Sequence, residues 1–98
     1  MEKKTPHTRL HIVQTLVAEG KVKATNTAIN GADELGLTFD DMCDAINGLT
    51  MRDFFKSMTT YRDHTVWQDV YSPTLPCGVV YLKLTVSHGV LIVSFKEK

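Results

Sequence analysis

The stretch from Gly78 to Lys96 restricts the fold more than any other part of the chain: it reads GVVYLKLTVSHGVLIVSFK. Two runs rich in β-branched and aromatic residues flank a His-Gly pair, the pattern of a β-hairpin. A two-residue type I′ turn at His88-Gly89 needs positive φ at both positions, which glycine adopts freely and histidine tolerates better than most residues. Ser87 then opposes Val90. Counting outward, Val86 meets Leu91, Thr85 meets Ile92, Leu84 meets Val93, Lys83 meets Ser94, Leu82 meets Phe95 and Tyr81 meets Lys96. Strand alternation puts Leu82, Leu84, Val86, Leu91, Val93 and Phe95 on one apolar face, with Tyr81, Lys83, Thr85, Ser94 and Lys96 on the other beside Ile92.

Two more runs upstream, Ser57 to Tyr61 and Val66 to Tyr71, have the same strand character. A loop with Pro73 and Pro76 joins the Trp67 strand to the hairpin. If Tyr71 pairs with Gly78, Gln68 stands opposite Tyr81, and Gln68, Tyr81 and Lys96 form a row across three strands.

The pattern changes character near Met58, because the segments before it are helical. Thr8 can cap a helix over about Arg9 to Glu19, with Leu10, Val13, Leu16 and Val17 on one face and Gly20 as terminator. Lys21 to Ala24 reads as a short edge strand. Thr25 or Asn26 starts a second helix that runs to Leu35, weakened by Gly31 and stopped by Gly36. Thr38 and Asp41 form a capping box for a third, with Phe39, Met42, Cys43 and Ile46 as its buried stripe and Gly48 as its end. Thr50 and Asp53 repeat that arrangement for one helical turn through Phe54 and Phe55. Helices grouped before hairpin-connected strands predict an α+β fold, an antiparallel sheet of C-terminal strands packed against N-terminal helices.

The 98 residues form one domain, residues 1–98, and a composition of 43% apolar and 22% charged residues excludes a disordered tail. No window approaches the roughly 18 apolar residues that cross a bilayer, and no signal-type stretch follows the charged start, so a cytoplasmic location is expected. Cys43 and Cys77 stand far apart outside any C-x-x-C arrangement and read as free thiols. Lysine plus arginine equals aspartate plus glutamate, 11 each, so net charge makes no case for nucleic acid. Distribution says more: acidic residues concentrate at Asp33, Glu34, Asp40, Asp41 and Asp44, whereas Lys56, Arg62, Lys83, Lys96 and Lys98 follow later, which leaves room for a local basic patch.

Several blocks resemble the MqsR toxin family. They are Phe54-Phe55-Lys56-Ser57-Met58-Thr59-Thr60, Trp67-Gln68-Asp69-Val70-Tyr71, Val80-Tyr81-Leu82-Lys83 and the run Val90 to Lys98, together with the opening Met1 to Thr8 and Ala32-Asp33-Glu34-Leu35-Gly36-Leu37. The resemblance spans the whole chain. It implies a RelE-like fold, ribosome-independent cleavage of mRNA at GC-containing sites, and neutralisation by an MqsA-like antitoxin that combines a zinc-binding domain with a helix-turn-helix DNA-binding domain, so that DNA is met only through the antitoxin. Motif matching carries the family's active-site residues onto Lys56, Gln68, Tyr81 and Lys96. Lys83, Tyr61 and Arg62 are the candidate substrate-binding residues. Many relatives are more basic, with arginines around Tyr71 to Leu75 and Lys23 to Thr27, where this chain has none.

These residue types suit metal-free cleavage of RNA, in which the 2′-hydroxyl attacks the adjacent phosphorus. That route needs a base, an acid for the leaving group and cations on the phosphorane. Lys56 and Lys96 suit the cationic role, Tyr81 can relay a proton or orient the 2′-hydroxyl, and Gln68 can hold a phosphate or a base edge. No cofactor and no metal are expected. His64 and His88 invite a histidine acid–base pair, but a polar loop and the turn account for them. Asp40, Asp41 and Asp44 are better explained by capping and the helix dipole than by a metal site. Trp67 reads as core or partial core. The zero net charge keeps a second reading open, a weakly active homologue that serves mainly as an antitoxin-binding module.

Overall fold

The computed structural model describes residues 1–98. The α+β expectation holds: three helices and a mostly antiparallel sheet whose main strands are C-terminal. In chain order the elements are β1 (Glu2–Lys3), α1 (Leu10–Ala18), β2 (Val22–Ala24), α2 (Asn26–Glu34), α3 (Phe39–Asn47), a 3₁₀ turn (Met51–Asp53), β3 (Phe54–Thr59), β4 (Trp67–Tyr71), β5 (Thr74–Leu75), β6 (Gly78–Val86) and β7 (Val90–Glu97). The sheet order is β1-β3-β4-β6-β7-β2, with β5 folding back on β6. Only β2 runs parallel to its neighbour, β7.

Capping residues stop and start the helices as their chemistry dictates. Thr25 Oγ1 accepts from the Ala28 amide, and Thr38 and Asp41 form a reciprocal capping box. The expected cap at Thr8 is absent: Arg9 takes the N-cap position with no side-chain cap, and the Thr8 amide donates to Asp69. One face of the sheet is covered. Val13 and Val17 of α1, Ala28 and Ala32 of α2, and Met42 and Ile46 of α3 pack with Tyr71, Leu82, Leu84, Ile92 and Phe95 in a single core. Thr25 continues the β2 line beside β7, donating its amide to the Ile92 carbonyl and its hydroxyl to that of Val93. From there α2 covers the edge that β2 leaves free. Gly31 makes this approach possible, since a Cβ there would lie 2.0 Å from the Phe95 carbonyl oxygen.

The hairpin register is half as expected. Tyr81 pairs with Lys96, Leu82 with Phe95 and Lys83 with Ser94, but nearer the turn Leu84 pairs with Ile92, Thr85 with Leu91 and Val86 with Val90. The connection is a three-residue loop, Ser87-His88-Gly89, and a bulge at Val93 absorbs the extra residue. His88 adopts the anticipated positive φ of 63°. Gly89 does not, and serves another purpose: a Cβ on it would come within 3.0 Å of the Lys21 carbonyl oxygen as β2 docks. The bulge exchanges faces above it. Val90 and Ile92 enter the core while Leu91, expected inside, lies on the open face with 37% of its surface exposed.

Candidate active site

The uncovered face of the sheet carries the candidate residues. A bulge between Phe54 and Lys56 shifts β3 by one, so that Phe54 faces the core edge-on to Tyr71 at 5.4 Å while Lys56 pairs with Val70 on the open face. Val70 in turn pairs with Lys83, and Lys83 with Ser94. Lys56, Val70, Lys83 and Ser94 therefore form one row across four strands, with Tyr81 and Lys96 paired two residues farther along. Val70 is fully buried although it lies outside the main core. Lys56 and Lys83 flank it in register, so it forms an apolar floor between two cations.

The lysines differ in their surroundings. Lys56 Nζ donates to Glu2 Oε1 at 2.7 Å, the carboxylate being delivered by β1, which pairs with β3 through Glu2 and Met58. This hydrogen bond holds the Lys56 ammonium above the ordinary lysine range and the Glu2 carboxyl below the ordinary carboxylate range. Lys83 has no such partner. Partial burial lowers its pKa from the usual lysine value, and the Lys96 and Lys56 charges push the same way. Lys96 Nζ stands 5.3 Å from the centre of the Tyr81 ring, a cation–π contact beside the phenol. At the border of the site the half-exposed Phe55 ring is surrounded by the ammonium groups of Lys98 at 4.9 Å, Lys56 at 5.3 Å and Lys4 at 5.6 Å.

The remaining sequence candidates divide. Gln68 is on the open face but not opposite Tyr81: Tyr71 pairs with Leu82 rather than Gly78, and continuing that register sets Gln68 beside Thr85. Gln68 and Tyr81 are thus separated by about 13 Å of strand rise, with Lys83 between them. The proline-containing connection forms its own small hairpin with β6, and this moves the pairing by four residues. Tyr61, fully exposed, and Arg62 lie in the β3–β4 loop, beyond the end of β3 and away from the lysine row. His64 shares that loop and His88 tops the hairpin, so neither reaches Tyr81. No three His, Cys, Asp or Glu side chains cluster as potential metal ligands, and no helix is long and apolar enough to cross a membrane.

Three participants escaped sequence reading. Glu2 belongs to a two-residue strand too short to leave a pattern, and Val70 looks like any core valine. Phe55 had a signal: two consecutive apolar residues break the alternation of an otherwise half-exposed strand, which marks a bulge. Beneath the site, the buried carboxylate of Asp69 accepts from the His7 amide at 2.9 Å, the Thr8 amide at 3.1 Å and the Ser57 hydroxyl. This node ties the segment after β1 to the sheet and so sets where Glu2 meets Lys56. Trp67, at the same edge, carries the stacked His7 ring at 5.4 Å and the Lys3 ammonium at 4.2 Å.

The zero net charge is thus a sum of opposites, with lysines gathered on the open face and Asp33, Glu34, Asp40, Asp41 and Asp44 on the helical side. Fold and site define an α+β domain that presents a cationic, tyrosine-bearing sheet face suited to a phosphodiester. Residues 5–97 match the family model described as "Motility quorum-sensing regulator, toxin of MqsA", and the chain is 65% identical over 98 residues, the full length of both proteins, to the mRNA interferase toxin MqsR of Escherichia coli (strain K12). The chain belongs to the MqsR toxin family.

Proposed function

We propose that this protein is an mRNA interferase, the toxin of a toxin–antitoxin pair, and that it cleaves single-stranded mRNA by metal-independent attack of a 2′-hydroxyl. The observation that carries this reading is the gathering of Lys56, Lys83, Lys96 and Tyr81 on one open face over a buried valine. Lys56, kept protonated by Glu2, and Lys96 hold the non-bridging phosphate oxygens and stabilise the charge that grows on them in the phosphorane. Tyr81, beside the Lys96 ammonium, relays the 2′-hydroxyl proton: its oxygen accepts that proton as its own phenolic proton passes to water. Lys83 gives a proton to the departing 5′-oxygen, because its ammonium is the one of the three set in a partly desolvated position without a partner. Gln68 lies one row farther along and holds a neighbouring phosphate or base edge, and Phe55 offers a stacking surface for a base. The products are a 2′,3′-cyclic phosphate and a 5′-hydroxyl.

Family membership extends the proposal to cleavage at GC-containing sites without a ribosome, a cytoplasmic location, and neutralisation by an MqsA-like antitoxin that carries zinc-binding and helix-turn-helix domains. Cleavage of purified RNA in excess EDTA, followed by analysis of the ends, tests the chemistry. Undiminished cleavage with cyclic phosphate ends is expected; loss in EDTA with rescue by magnesium, or 5′-phosphate ends, would reject it. Tyr81→Phe removes one hydroxyl from a surface that does not hold the fold together. Cleavage should slow by roughly 10²-fold with an unchanged melting temperature, and a folded Tyr81→Phe protein of normal rate would take Tyr81 out of the mechanism.

A further inference from the structure

The open face does not end at Gln68. Thr85, next to Gln68 in register, pairs with Leu91, and Leu91 pairs with Lys23 of β2. Beside this row lies a groove of about 480 Å³ whose lining includes Lys21, Lys23, Thr85, Ser87, His88 and Leu91. Thr85 is two residues beyond Lys83 on the same strand, and Lys23 is two strands away from Thr85. The groove therefore begins roughly 7 Å from the Lys83 position and extends about 10 Å across the sheet, a span that a few nucleotides of extended RNA cover.

Its chemistry is that of a single-strand subsite. No carboxylate lines the groove. Lys23 is exposed and makes no ion pair, and Lys21 makes only a loose one, 3.5 Å to Glu19 with both side chains more than half exposed, which a phosphate can replace. Leu91 offers an exposed apolar surface, and the left-handed backbone at His88 holds an exposed imidazole at the rim. Gly89 lets β2 close against the hairpin loop and so brings these groups together. Unstacked bases are bound in this way, with the base on an apolar or ring surface and the backbone on cations.

We propose that this groove binds a nucleotide flanking the scissile bond, its base against Leu91 and His88 and its phosphate on Lys23 and Lys21. The proposal rests on the ribonuclease reading and adds to it the path of the RNA across the face. Lys21 and Lys23 lie outside the catalytic row, so their loss should weaken binding of long substrates without slowing the chemical step.

The test compares wild type with the doubly substituted Lys21→Gln, Lys23→Gln protein on two RNAs, one with several nucleotides on both sides of a cleaved site and one trimmed to the site itself. On the long RNA the variant's KM should rise about tenfold with kcat unchanged, and the salt dependence of binding should flatten. On the trimmed RNA variant and wild type should be equal. Equal loss on both RNAs, or no loss on either, would overturn the subsite. So would retained RNA kinetics with weakened antitoxin binding, which would make the groove a protein interface. Failure of the wild type to cleave either RNA would instead count against the ribonuclease reading.

Discussion

Replacing Lys83 by glutamine lowers the cleavage rate by about 10²- to 10⁴-fold at neutral pH and leaves the protein at least as stable as before. The rate falls because the 5′-oxygen loses its proton donor. The fold is spared because the lost charge is a partly desolvated ammonium repelled by Lys56 and Lys96, with no carboxylate partner. Lys83→Arg separates charge from proton transfer: a guanidinium keeps the cation but does not release its proton in this pH range. That variant should remain slow. The pH profile carries the same signature. A proton donor works below its pKa, and the pKa of Lys83 is depressed, so the wild-type rate should fall with rising pH earlier than an ordinary lysine would allow. The arginine variant should lack that limb. A substrate with sulfur in place of the 5′-bridging oxygen needs no acid, and it should restore most of the rate of Lys83→Gln. Equal impairment on the oxygen and sulfur substrates would remove Lys83 from proton transfer.

Asp69→Ala should destabilise the fold strongly. It removes the acceptor of the Thr8 amide and of the buried Ser57 hydroxyl at once and leaves the His7 amide only its longer bond to Ser57 Oγ at 3.2 Å, at a cost of about 1–3 kcal/mol for each group that water cannot reach. A loss of about 3 kcal/mol is a large share of the roughly 5–15 kcal/mol that holds a domain together, and in a chain of this size it lowers the melting temperature by about 15 °C. The same change frees the segment after β1, so that Glu2 is held against Lys56 only by the two-residue pairing of β1 with β3. A melting temperature within a few degrees of wild type would show that the node contributes little.

How much of this was legible in the sequence follows from the kind of information each feature needs. Helix boundaries rest on local chemistry, and the Thr25 and Thr38 caps and the capping box fell where threonine and aspartate spacing put them. The Tyr81–Lys96 pairing was legible too, though by two offsetting departures: a loop one residue longer than expected and a bulge at Val93. Between them the apolar run from Val90 to Val93 has no alternation to read, and the faces of Leu91 and Ile92 came out reversed. The β4–β6 register was not legible, because a proline-containing loop leaves strand pairing free and β5 then takes up part of it.

By itself, the sequence determined which residue types the open face would carry, since lysine and tyrosine alternating with leucine in a strand admit one arrangement against a core. It also determined the α+β order of the elements. Only the tertiary structure decided which cations stand close enough to act on one another, which of them is paired with a carboxylate, and which is left in a drier setting. Those properties depend on neighbours far apart in the chain: Glu2 against Lys56, Val70 beside Lys83, Lys23 across from Leu91. Desolvation and Coulomb interaction act through distance in space, and sequence separation carries no record of it.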